Sequence, residues 1–318
     1  MKSIMNTFVV FAIGVVSTMS CSKIKTTEEI SDDAVTVRFT SSVDATKTVF
    51  GEYANGYYPV RWTSDQKVAI FYNSQTGSAV EGYGGAQYIT PTPSSDAMTA
   101  EFSATFTKQD ADIHAFYAFS PLCSLNWMGH EDWDSDGIKE INVLYATVPT
   151  DQVPVPGTCD EKAQLIVANK EYADFPEVVD LSFSHLSSYG KIGTLALPEG
   201  ATEIVGVELL SNKAMSGEIY YYFDQPGNVH VNYGSTYYNY IYLIVNNAHR
   251  NTTLKDVFFA TTPVSFSEGD WLRVSVHTIS DSWRKTINFT SEQPLVFTPG
   301  RISSFSIGAE GFEKFQNK

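Results

Sequence analysis

Pro176-Glu177-Val178-Val179-Asp180-Leu181-Ser182-Phe183-Ser184-His185-Leu186-Ser187-Ser188-Tyr189-Gly190-Lys191-Ile192-Gly193-Thr194-Leu195-Ala196-Leu197 lies just past the middle of a chain of 318 residues. Val179, Leu181 and Phe183 alternate with Asp180, Ser182 and Ser184, the two-residue period of a strand with one apolar and one wet face. Gly190 and Gly193 then open a second run that carries Ile192, Leu195 and Leu197. The stretch reads as the hinge between two β-domains, residues 34–175 and residues 176–318.

Both sides of the hinge repeat its pattern. Upstream, Val35, Val37 and Phe39 alternate with Thr36, Arg38 and Thr40, and Phe102, Ala104 and Phe106 alternate with Ser103 and Thr105. Residues 113–119 are nearly all apolar, as in a strand covered on both faces. Residues 74–95 are rich in Gly, Ser, Thr and Pro and read as a long loop region. Downstream, Val205, Val207 and Leu209, then Leu272, Val274 and Val276, mark further strands, and residues 237–245 suit a buried one. Gln225-Pro226-Gly227-Asn228, Glu268-Gly269-Asp270 and Pro299-Gly300 read as turns. No amphipathic helix of three turns stands out. Aromatic residues, which favour strands, reach 14%, with 18 Tyr and 20 Phe. The length suits two domains, and short strands bounded by turns predict an all-β chain of two tandem β-sandwiches. A formal net charge of −15 repels phosphate backbones and argues against nucleic acid as a partner.

Residues 1–20 have the layout of a secretory signal. Lys2 supplies the positive start and residues 8–16 the apolar core, which is far short of a membrane span. Cys21 follows directly, in a setting similar to a bacterial lipobox, which implies cleavage before Cys21 and its acylation. Residues 21–33 are polar and aperiodic and read as a tether. Everything after Cys21 is expected outside the cytoplasm, held at the outer membrane by lipid.

Four landmarks follow in order: Val60-Arg61-Trp62-Thr63-Ser64-Asp65 with Val68-Ala69-Ile70-Phe71; Ala115-Phe116-Tyr117-Ala118-Phe119-Ser120; Val148-Pro149-Thr150-Asp151-Gln152 running on to Leu165-Ile166-Val167-Ala168 and Val179-Asp180-Leu181-Ser182-Phe183-Ser184-His185; and Phe297-Thr298-Pro299-Gly300-Arg301, closing into Phe305 and Ile307. With the lipobox, this succession resembles the fimbrillin-like lipoproteins, subunits or anchors of type V pili. The resemblance implies sandwiches of transthyretin-like type, a place in a fimbrium at the cell surface, and pilus subunits as partners through strand donation. It also implies removal of the first strand after an arginine. Arg38 is the candidate, although it falls inside the first alternating run, and Arg61 lies beyond that run.

The remaining chemistry is sparse. Asp132, Asp134 and Asp136 precede Gly137 at the alternate spacing that starts a calcium loop. Val143, however, stands where the bidentate glutamate belongs, so an acidic hairpin turn is the preferred reading and no cofactor is expected. Cys123 and Cys159 are left to pair if the compartment is oxidising. The histidines show no metal-ligand spacing, and His185 reads as a packed, hydrogen-bonded residue. No nucleophile elbow or phosphate loop occurs, so the chain is not read as an enzyme. Trp127, Trp133 and Tyr145 lie close together in a loop-rich stretch and supply the alternative function, a surface lipoprotein that binds a host ligand or glycan.

Overall fold

The computed structural model describes residues 34–42, 49–50, 60–63, 66–76, 79–81, 86–97, 99–131, 141–155, 157–234 and 237–315. The fold is all-β. Helical turns among these residues are limited to Leu122–Ser124, Glu161–Ala163 and Asn247–His249.

The main strands of the first half are β1 (Ala34–Ser42), β2 (Val68–Thr76), β3 (Thr92–Pro93), β4 (Ala100–Thr107), β5 (Ile113–Ser120), β6 (Leu125–Glu131), β7 (Ile141–Val148), β8 (Ile166–Tyr172) and β9 (Val178–Ser182). One sheet has the order β9-β1-β4-β3, and the sheet facing it contains β8-β5-β2. Side-chain alternation makes the pair a sandwich. On β4, Ala100, Phe102, Ala104 and Phe106 are buried while Glu101, Ser103, Thr105 and Thr107 are exposed. Phe39 fills the centre, stacked on Phe102 at 5.3 Å between ring centroids and meeting Phe106 and Phe116 edge-on at 6.2 and 5.7 Å.

As the apolar run over residues 113–119 predicts, β5 is covered on both sides. Phe116 and Ala118 belong to the core under β1, whereas Ala115, Tyr117 and Phe119 belong to a second core with Leu144, Ala146, Ile219 and Tyr221. That second core brings the two halves together.

The second half contributes β10 (Ser188–Ala196), β11 (Ile204–Ser211), β12 (Ser216–Tyr222), β13 (Val229–Val231), β14 (Tyr240–Ile244), β15 (Thr253–Thr261), β16 (Trp271–Thr278), β17 (Ser282–Asn288), β18 (Ile302–Ile307) and β19 (Glu313–Phe315). Its sandwich packs β15-β10-β18 against β14-β11-β16-β17-β19 around Ile192, Val207, Phe259, Phe266 and Val274. The two halves repeat one topology. β1 lies between antiparallel β4 and parallel β9, and β10 lies between antiparallel β15 and parallel β18. β2-β5-β8 corresponds likewise to β11-β16-β17. A hairpin from each half, β6-β7 and β12-β13, joins into one shared sheet. The Gln152 amide ties the halves further, donating to Ala260 O and accepting from Ala260 N, both at 2.8 Å, in place of a strand neighbour for β15.

Several expectations need correction. The sheets do not divide at residue 176: β9 pairs with β1, and Val179, Leu181 and Phe183 lie in the first core. The second sandwich begins with β10, at Ser188. Alternation announces a strand, but the strand's parallel partner lies about 140 residues upstream and leaves no local mark. The region over residues 74–95 is not one loop, since Ala79–Glu81 and Gln87–Ile89 pair with β2 and Thr92–Pro93 pairs with β4. Residues 237–245 are not one buried strand. Tyr237–Tyr238 is exposed against β12, and in β14 only Ile241 and Leu243 are fully covered.

No disulfide joins Cys123 and Cys159. Cys159 packs with Ala163, Tyr189, Phe258 and Ala260, while Cys123 is exposed on its 3-10 turn. Intact mass is therefore expected to be the same with and without reductant, with iodoacetamide alkylating Cys123 but sparing Cys159 until the chain unfolds. A two-hydrogen gain on reduction would contradict this.

Glu268-Gly269-Asp270 makes the predicted turn, with Gly269 at φ +88°. Asp270 anchors it: the carboxylate accepts from Ser267 N at 2.9 Å and Asn212 Nδ2 at 2.9 Å, with Lys213 Nζ at 3.3 Å. The Ser267 amide, helped by Asn212, Lys213 and the Ser267 hydroxyl against the opposing effect of burial, holds this carboxyl down at about 2. A depressed carboxylate contributes stability above its unfolded pKa of about 4 and loses it as pH falls through the folded value. Asp270→Asn is expected to lower the melting midpoint near neutral pH, with the gap to wild type closing between pH about 4 and about 2. A gap that stays constant across that window would refute the assignment.

Candidate functional site

β1 is the element that a strand-exchanging protein would have to release, and its surroundings form a slot. Val37 and Phe39 point inward and are fully buried. Residues 34–40 pair with β4 and residues 38–42 with β9, so both backbone edges are in use. Taking β1 away would uncover Phe102, Phe106, Val179 and Leu181 and leave unpaired N–H and C=O groups along two strands. The outward side is polar and fastened. Thr36 and Thr105 share a hydroxyl hydrogen bond at 3.0 Å and Thr40 donates to Asp180, while on the inward side the buried Ser41 Oγ accepts from Ala100 N at 2.8 Å.

Arg38 sits in the middle of this strand, opposite Ser103 and Val178, with its side chain exposed and its amide donating to Glu177 O at 3.0 Å. A protease can reach the guanidinium, but the peptide bond that follows lies within the sheet. Cys21 and the calcium candidates Asp132, Asp134 and Asp136 lie outside the described residues, as does Trp133. His185 is hydrogen-bonded to Tyr189 Oη at 3.0 Å and meets its ring edge-on. A cavity of about 490 Å³ runs beside β15, lined by residues that include Val155, Val245, His249, Leu254 and Lys255.

Trp127 and Tyr145 stand directly opposite each other on β6 and β7, ring centroids 5.9 Å apart. Sequence reading missed the continuation of this row. Tyr145 faces Tyr220 on β12 at 6.0 Å, and Tyr220 stacks on His230 of β13 at 4.9 Å. Tyr220 is half-buried between the buried Ile219 and Tyr221, an alternation that marks a strand. The pairing of β7 with β12, across some 75 residues, was not readable.

Fold and slot define a class: an all-β protein of two repeated sandwiches, each with its first strand held between two others. No protein-family model matches the chain, and no curated protein matches it in sequence. Among solved structures it is similar to a candidate cell adhesion protein from Bacteroides ovatus, with 13% identity and a TM-score of 0.50, over 88% of this chain and 95% of that one. It is also similar to a fimbrial assembly protein from Parabacteroides distasonis, at 11% identity and a TM-score of 0.40 over 88% and 94% of the two chains. A candidate cell adhesion protein from Bacteroides fragilis gives 10%, 0.43, and coverages of 89% and 97%. The first of these likenesses bears on the fold.

Proposed function

We propose that this chain is a non-enzymatic, adhesive subunit or anchor of a surface fimbrium, lipidated at Cys21 and assembling by exchange of its first strand. The observation that carries the reading is the placement of β1 between β4 and β9, with Val37 and Phe39 buried beneath it. An element at the start of the fold, paired on both edges and docked through a short apolar row, is one that a neighbour's strand can replace with the same hydrogen bonds and pockets. The central first strand, antiparallel to one neighbour and parallel to a late strand of its sandwich on the other side, supports a transthyretin-like assignment for each half. The likeness in fold to a candidate cell adhesion protein points the same way.

Arg38 would be the processing point, cut while β1 is lifted from the sheet. A copy that keeps its lipid and all of β1 would serve as an anchor at the outer membrane, and a copy cut at Arg38, left with only residues 39–42 of that strand, would open the rest of the slot to a neighbour's strand and join a shaft. The test is terminal sequencing of the surface-extracted protein by mass spectrometry, together with electron micrographs of shed material. A start at acylated Cys21 or at Phe39, with filaments lost on deletion of the gene, is the expected result. A mature chain that keeps Met1 in the cytosol would overturn the proposal.

A further inference from the structure

We propose that the outer face of the shared sheet β6-β7-β12-β13 is a binding platform for a neutral oligosaccharide. This goes beyond the assembly role and does not depend on it, because β1 takes no part in that sheet.

The platform has two parallel rows. The first is the ring row Trp127, Tyr145, Tyr220 and His230, one residue per strand and each opposite the next. Trp127 is 46% exposed, and the other three are half-buried. With strands about 4.8 Å apart, the row extends about 14 Å across four strands, the reach of a short sugar chain. The second row lies beside it: Asn126, Thr147, Glu218 and Asn232. Asn126 Nδ2 donates to Glu218 Oε2 at 2.6 Å, Asn232 Nδ2 donates to Glu218 Oε1 at 2.7 Å, and Thr147 Oγ1 donates to Asn126 Oδ1 at 3.0 Å. These bonds hold an amide, a hydroxyl and a carboxylate in fixed orientation along the rings. The opposite face of the same strands carries Met128, Leu144, Ala146, Ile219 and Tyr221 and is spent on the core.

This juxtaposition matches the chemistry of a pyranose, which offers an apolar C–H face to an aromatic ring and a rim of hydroxyls to hydrogen-bonding groups. A purely apolar protein footprint would not place an amide, a hydroxyl, a carboxylate and a second amide one or two residues along the strand from the four rings. Charge selects among sugars. Glu218 is the one acidic side chain in the two rows, no lysine or arginine stands at any of the eight positions, and the chain carries a net charge of −15. Uronates and sulfated glycans would be repelled.

The test titrates the full mature chain with hexasaccharides of glucose, xylose, mannose and N-acetylglucosamine, and with heparin and hyaluronan fragments, read by calorimetry and tryptophan fluorescence. At least one neutral hexasaccharide is expected to bind and shift the fluorescence. Trp127→Ala should weaken that binding about tenfold or more, since an exposed stacking ring is removed from an otherwise intact sheet. Glu218→Gln, which keeps the shape of the polar row, should weaken it several-fold and serves if the first variant folds poorly. Tyr88→Ala, at an exposed tyrosine in another sheet, should change nothing. The proposal fails if no neutral hexasaccharide binds, if acidic fragments bind more tightly, or if neither platform variant alters the affinity. Self-association through this face, seen as a dimer that Trp127→Ala dissolves without any sugar binding, would likewise replace it.

Discussion

A chain that begins at residue 43 is expected not to reach a folded monomer, and a synthetic peptide of residues 34–42, Ala-Val-Thr-Val-Arg-Phe-Thr-Ser-Ser, is expected to restore it in trans. Phe39 alone makes ring contacts with Phe102, Phe106 and Phe116, and truncating such a residue costs about 3–5 kcal/mol. Val37 adds to this, and two ladders of backbone hydrogen bonds are lost with the strand. The sum rivals the whole net stability of a domain, about 5–15 kcal/mol. Peptide binding should restore the near-ultraviolet circular dichroism of the buried aromatics and a cooperative melt. A peptide carrying Phe39→Asp should do neither, because an unpaired carboxylate cannot enter that slot cheaply. Should residues 43–318 melt like the full chain, β1 would be dispensable and strand exchange would lose its physical basis.

The second large effect is expected at Gly190, inside the stretch that joins the sandwiches. Gly190 on β10 stands opposite Phe259 on β15, and the Phe259 ring lies directly over it. A Cβ built at Gly190 would fall 2.0 Å from Phe259 Cζ. The ring has nowhere to go, being fully buried and set against Phe297 at 5.8 Å and Phe305 at 6.3 Å. Gly190→Ala is therefore expected to cost about 3 kcal/mol, at the upper end for overpacking a tight core. Phe259→Ala should cost about 3–5 kcal/mol by leaving a cavity. The double variant should be clearly less destabilised than the sum, because removing the ring makes room for the methyl. Denaturant melts of the four proteins give the cycle. Strict additivity would show that the glycine is kept for some reason other than this ring.

Strand and turn chemistry were legible because they are local. The two-residue alternation on β4, the doubly apolar run of β5 and the turns at Gly227, Gly269 and Gly300, all at positive φ, can be read without knowing any partner. The partners of the strands in residues 176–197 were not legible: β9 pairs with β1, Ser184–His185 pairs with β8, and β10 pairs with β15 and β18. The candidate sites divide in the same way. Phe39 and Val37 announce themselves by period, whereas Tyr220 and His230 gain meaning only beside Trp127 and Tyr145.

What the amino-acid order determined by itself is the all-β class, the inward set of each main strand and the position of the chain reversals, since side-chain period and backbone φ depend on a residue and its immediate neighbours. What only the tertiary structure decided is which edges meet. That includes the parallel docking of β1 on β9, the ring of Phe259 over Gly190 and the union of two distant hairpins into one aromatic face. Strand pairing is a contact between segments tens to more than a hundred residues apart. Its energy is spread over backbone groups that every sequence shares, so the partner leaves no signature in the strand that seeks it.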